Sequence, residues 1–311
     1  MLMDYIITTD KLCKFFGRKD TVKEAVKDVS IKVREGEIYG LIGRNGAGKT
    51  TLMKMLCGLS TPTKGSVSLF GKTGGESKKE MRNIGSLIEA PGVYPYMNAK
   101  DNIRLKCLAL GVDRPGYPEE LLETVGLSDV GKKKVGQFSL GMVQRLGIAL
   151  ALVGDPKILI LDEPINGLDP QGIAECRRIF SKLKKEKKMT ILISSHILDE
   201  LGKFADSYGI IHEGKLIDQF THEELKERSG HYTLFMTDDN RKAFQVMDKM
   251  GVEKISQTRS GMIRVDDDIS REKNIVKALV ENDVFVEEVR TQSFSLEEYY
   301  LSITGGDDDA E

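Results

Sequence analysis

Two short runs hold the residue types that could do chemistry. The first, GRNGAGKTT at residues 43–51, sets Gly43, Gly46 and Gly48 around a single lysine, Lys49. Glycines admit turns with positive φ and let successive backbone N–H groups converge on an anion, so such a loop suits a phosphate chain. The run satisfies G-x-x-x-x-G-K-[ST] through Gly43, Gly48, Lys49 and Thr50. In that pattern the loop amides, here from Gly43 through Arg44, Asn45, Gly46, Ala47 and Gly48 to Thr51, cradle nucleotide phosphates. Lys49 reaches the β and γ oxygens, and the Thr50 hydroxyl joins Mg²⁺. The second run, ILILDEP at residues 158–164, closes four apolar residues with two acids. A phosphate loop needs a carboxylate for its metal, and Asp162 at the end of a buried strand supplies one. Glu163 beside it is placed to polarise a water that attacks the γ-phosphate. Asp-Glu-Pro also reads as a polar turn that simply ends a strand.

These residues need elements to hold them. Strands are expected at Tyr5–Thr9, along VSIKVREGEIYGLIG with its turn at Glu35-Gly36, in GSVSLFG and in NIGSLIEA. The glycine loop then lies between a strand and the helix TTLMKMLCGL, whose positive N-terminus faces the same anion. From about Ala99 to Ala151 the pattern is helical, an insertion broken by Gly and Pro. KILILDEP and MTILISSH follow as buried strands with an amphipathic helix between them, an alternation that argues for a parallel α/β core. Beyond Ser229-Gly230 the character changes, so the first domain is expected to span 1–229 and a second 230–304. The second reads strand, helix, strand, strand, helix, strand, an order suggesting a small α+β ferredoxin-like domain. The acidic tail GGDDDAE at 305–311 is expected to be disordered.

Composition excludes several classes. With 46 basic and 48 acidic residues there is no global basic field, and no basic stripe that would track nucleic acid. No apolar run approaches the ~20 residues of a membrane-spanning helix. Cys13, Cys57, Cys107 and Cys176 are widely spaced and lack metal-type pairing, which fits free core cysteines in a reducing, cytoplasmic setting. The run VDDDIS at 265–270 and the lysines of KLKKEKKM read as solvated surface.

Read in order, GRNGAGKTT, FSLGMVQR, ILILDEP, NGLD and ISSH give the chain, over about residues 5–225, a sequence that resembles the ATP-binding subunits of ABC transporters. The resemblance implies a P-loop ATPase core with an antiparallel β subdomain and a helical insertion. It also implies roles. FSLGMVQR looks like the signature usually written LSGGQ, with Ser139 and Gly141 matching and Leu140 and Met142 departing. Those amides close over ATP held by a second subunit. Asp169 resembles the aspartate that communicates across the dimer, although a turn opened by Asp-Pro accounts for the same letters. His196 resembles the switch histidine at the γ-phosphate. Phe16 in LCKFFG matches the aromatic that stacks on adenine, with Phe15 an alternative ring. Glu89 stands where transporter ATPases usually carry the Gln that coordinates Mg²⁺ and the attacking water. Glu in that loop, with the FSLGM form of the signature, resembles the bacitracin-resistance and lantibiotic-immunity subgroup.

The implied protein hydrolyses ATP with Mg²⁺ as a dimer, both copies being this chain, and drives a separate permease. It sits in the cytoplasm against the inner face of the membrane, with no nucleic-acid partner. Soluble members of the same family that work on ribosomes or DNA fuse two ATPase halves or insert long coiled coils. This chain has one P-loop and a short helical insertion.

Overall fold

The computed structural model of the protein describes residues 5–17, 21–228, 231–258, 260–266, 272–293 and 295–305. Ser229-Gly230, residues 267–270 of VDDDIS and tail residues 306–311 lie outside them. Contacts divide the chain into one unit covering Met1–His222 and another covering Glu223–Glu311.

The first unit opens with an antiparallel sheet. It contains β1 (Tyr5–Phe16), β2 (Lys23–Val29), β3 (Lys32–Arg34), β5 (Lys64–Leu69) and β6 (Lys72–Thr73), in the order β2-β1-β5-β6 with β3 also on β1. β1 runs seven residues past the strand expected at Tyr5–Thr9, because Phe15 and Phe16 pair with Glu24 and Lys23 of β2. That long-range pairing leaves no mark on local alternation.

The second sheet joins β4 (Ile38–Ile42), β7 (Ile84–Leu87), β8 (Ile158–Leu161), β9 (Thr190–Ser195), β10 (Ser207–His212) and β11 (Lys215–Thr221) in the order β11-β10-β4-β9-β8-β7. All pairs are parallel except that of β10 with the edge strand β11. Every residue of β4, β8 and β9 is buried, as interior parallel strands covered on both faces require.

Helix α1 (Lys49–Leu56) lies between the sheets. Its Leu52, Met53, Met55 and Leu56 share one core with Ile7, Leu12 and Val26 of the first sheet and Leu41, Ile158, Ile160 and Leu192 of the second. Burial stabilises each such side chain by roughly 1.5–3 kcal/mol. That packing fixes the helix start, and therefore the glycine loop before it.

The remaining helices of this unit are α2 (Gly74–Glu80), α3 (Ala99–Leu110), α4 (Tyr117–Thr124), α5 (Leu140–Ala151), α6 (Pro170–Lys187) and α7 (Leu198–Leu201), and α8 (His222–Arg228) begins at its end. Asn98, Ser139 and Asp169 cap α3, α5 and α6 through their side-chain oxygens. Among the described residues no helix is long and apolar enough to cross a membrane.

The second unit contains β12 (His231–Thr237), α9 (Asn240–Lys249), β13 (Ile255–Gln257), β14 (Ile263–Val265), α10 (Glu272–Glu281), β15 (Val286–Ser293) and α11 (Leu296–Thr304). Its four strands are all antiparallel, in the order β13-β14-β12-β15. Phe235, Ala243, Met247, Ile263, Ile275 and Leu279 form its own core. A capping box between Ser295 and Glu298 starts α11.

Candidate active site

Register brings the chemistry together. β4, β9 and β8 are adjacent and parallel, with Ile42 level with Ser195 and Leu161 level with Ile193. Neighbouring strands lie about 4.8 Å apart, so whatever follows their carboxyl ends converges at one edge of the sheet. β4 is followed by the glycine loop, β8 by Asp162 and Glu163, and β9 by His196.

The loop bends as its composition requires. Gly46 has φ +83° and Gly48 φ +110°, conformations that side chains rarely adopt, and a Cβ on Gly48 would come within 2.5 Å of the Ala25 carbonyl oxygen. Lys49 follows, 5% exposed, with its ammonium donating to the carbonyls of Gly43 at 2.6 Å and Arg44 at 3.3 Å. The same nitrogen lies 3.2 Å from Glu163 Oε1. The other carboxylate oxygen of Glu163 lies 2.8 Å from His196 Nδ1. Glu163 thus bridges a buried lysine and a partly exposed histidine, and its own backbone is left-handed at φ +49°.

Beside it, Thr50 Oγ1 donates to Asp162 Oδ2 at 2.8 Å. Ser194 Oγ donates to Asp162 Oδ1 at 2.7 Å and accepts the Glu163 backbone N–H at 2.8 Å. A cavity of about 680 Å³ opens above the loop, lined by Phe16, Arg44, Asn45, Lys49, Thr50 and Glu163 among others. Phe16 is 47% exposed there, with the Lys14 ammonium 5.2 Å from its ring centroid.

The expected residues therefore fall into two groups. Lys49 and His196 both contact Glu163, Thr50 contacts Asp162, and Phe16 shares with the loop, Lys49, Thr50 and Glu163 a cavity that Asp162 and His196 do not line. Glu89 is elsewhere. Its carboxylate is 65% exposed and pairs with Lys54 at 2.6 Å, one turn or about 6 Å along α1 from Thr50. Ser139, Gly141 and Asp169 sit at the N-termini of α5 and α6 and do not line their own chain's cavity. Lys23, Glu24, Ala25 and Lys27 of β2, with Glu213 and Gly214, complete the lining. Only the fold brings these to the loop, through contacts such as Gly214 N–H donating to the Ala47 carbonyl at 2.9 Å.

The arrangement suits a polyphosphate. Among the described residues no cluster of three or more His, Cys, Asp or Glu could hold a metal alone. One hydroxyl and one carboxylate, Thr50 and Asp162, are what Mg²⁺ takes when phosphate oxygens and water complete its octahedron. The donor set fits a metal delivered with the nucleotide.

A family model described as ABC transporter matches residues 26–166. The bacitracin transport ATP-binding protein BcrA of Bacillus licheniformis is 43% identical over 98% of this chain and 99% of its own length. The lantibiotic transport ATP-binding protein SrtF of Streptococcus pyogenes is 44% identical over 74% of this chain and 98% of its own. Among solved structures, the ATP-binding cassette MJ0796, in a dimeric post-hydrolysis state bound to ADP and Pi, superposes with a TM-score of 0.62 at 22% identity. That match covers 70% of this chain and 98% of MJ0796, and carries the fold alone.

Proposed function

The chain belongs to the ATP-binding subunits of ABC transporters, and from that premise we propose that it powers a separate membrane permease that exports antibiotic peptides of the bacitracin or lantibiotic kind. The observation that carries this reading is the end-to-end match to a bacitracin transport protein. Relatives named for transport favour it over a soluble role on ribosomes or nucleic acid.

The protein is an ATPase that takes ATP with Mg²⁺. Its chemistry is positioning and charge stabilisation. Loop amides and the start of α1 hold the phosphates, and Phe16 offers a ring face to adenine. Lys49 exchanges the Gly43 and Arg44 carbonyls and the Glu163 carboxylate for phosphate oxygens. That exchange frees Glu163, still oriented by His196, to take a proton from the attacking water. Thr50 and Asp162 would hold Mg²⁺, which when bound would supply charge neutralisation to the phosphates. Glu89 would order the metal or water in exchange for its pairing with Lys54.

Two copies close over two nucleotides, each using the other's Ser139, Gly141 and Asp169. Ser139 and Asp169 are exposed, available to a second copy. The ATPase works at the inner face of the membrane, where its permease crosses.

Cross-linking and affinity purification from native membranes tests the partner. A polytopic permease that stimulates ATPase activity, and whose loss sensitises cells to a peptide antibiotic, is the expected result. Recovery with ribosomes or nucleoid and no membrane protein overturns the reading.

A further inference from the structure

Ser194 lies within ISSH, where only His196 is given a role, yet it touches both acids of the site. The residue is fully buried at the end of β9, level with Leu41 of β4. A hydroxyl has one proton to give, and Ser194 gives it to Asp162 Oδ1 at 2.7 Å. Its lone pair receives the Glu163 N–H at 2.8 Å. Asp162 is left with Oδ2 directed to Thr50, at 2.8 Å.

Glu163 has the second need. A long side chain at φ +49° is unfavourable, and such backbone persists only where its surroundings over-determine it. The Ser194 bond to its N–H, together with the 3.2 Å bond from Asn166 N–H to its carbonyl, holds that turn.

We propose that Ser194 is a positioning residue for ATP hydrolysis, whose hydroxyl fixes the Asp162 carboxylate for Mg²⁺ and the Glu163 backbone for the attacking water. It touches neither reactant. The inference rests on the reading of this site as an ATPase. Partners that orient a metal-ligating carboxylate are worth about 10- to 100-fold in metal affinity or activity. Alanine at this position adds no bulk but leaves a carboxylate oxygen and a backbone N–H unpaired, so normal analogue binding in EDTA is the check that the fold is kept.

The test uses the full chain and two readouts. The first is the Mg²⁺ concentration that half-saturates the thermal stabilisation by a non-hydrolysable ATP analogue, measured after analogue affinity has been determined in EDTA. The second is turnover at saturating Mg²⁺. For Ser194→Ala the expected results are unchanged affinity in EDTA, a half-saturating Mg²⁺ raised about tenfold or more, and turnover lowered about tenfold or more. Ser194→Thr, which keeps the hydroxyl, should recover most of both.

In the Glu163→Gln background Ser194→Ala should still shift the Mg²⁺ midpoint, because that effect runs through Asp162. An unshifted midpoint in a Ser194→Ala protein that binds the analogue normally overturns the proposal, as does failure of Ser194→Thr to restore it with the fold intact. A wild-type chain that hydrolyses no ATP, alone or with its permease, instead strikes the underlying reading.

Discussion

Removing Lys49 and Glu163 singly and together measures how strongly the two are coupled as an ion pair. At 3.2 Å two unit charges attract by about 5 kcal/mol at an effective dielectric of 20. Burial takes much of this back, since Lys49 is 5% and Glu163 20% exposed. A coupling of about 1–3 kcal/mol should remain. Lys49→Met leaves the Glu163 carboxylate only His196 and takes the donor from Gly43 and Arg44, a loss of about 3 kcal/mol. Glu163→Gln leaves Lys49 both carbonyl bonds and should cost about 1–2 kcal/mol. The double variant should therefore be less destabilised than the two losses added.

The assay is urea unfolding of the full chain in EDTA without nucleotide, following the transition that Mg-ATP shifts in the wild type. Losses that add to within about 0.5 kcal/mol would show two independent residues and refute the exchange of partners proposed for Lys49.

Three further outcomes follow from the same geometry. Gly48→Ala should destabilise the protein by about 2 kcal/mol or more and abolish ATP retention on a filter, because the new Cβ meets a backbone oxygen at 2.5 Å and the loop cannot keep φ +110°. Wild-type retention would show that the loop reshapes freely. Glu89→Ala should slow turnover several-fold with little change in ATP affinity, and unchanged turnover and transport would remove Glu89 from the site. Burial pushes the Cys176 thiol up to about 11, so it should alkylate at pH 8 only as the fold opens. Prompt labelling of Cys176 by iodoacetamide, read by mass spectrometry, would contradict its burial.

Sequence legibility differed by distance along the chain. Lys49 and Thr50 are readable because a phosphate loop is local: its glycines, lysine and hydroxyl occupy consecutive positions. Asp162 and Glu163 are readable because a buried strand must end where its apolar run ends, and the parallel core follows from KILILDEP and MTILISSH. Ser194 was hidden inside that same apolar run, where a serine looks like any strand residue until register sets it beside Leu41 and against Asp162. The β2 side of the cavity, Lys23 to Lys27, depends on pairing with a strand that continues to Phe16. Glu89 shows another limit, since position in a motif says nothing of rotamer, and here Lys54 holds the carboxylate. Contacts separate the two units at His222–Glu223, within α8 and before the composition change seen near residue 230, a division that rests on long-range packing rather than on local composition.

The central claim is that this chain turns ATP hydrolysis at Lys49, Asp162 and Glu163 into work on a permease. Its most direct test is steady-state ATPase activity of the purified complex of chain and permease, comparing wild type with Glu163→Gln at saturating Mg-ATP. The account predicts hydrolysis by the wild-type complex above that of the chain alone, and a variant that binds ATP with similar affinity but turns over at least about 100-fold more slowly. Brisk hydrolysis by Glu163→Gln, or a wild-type rate indifferent to the permease, would contradict it.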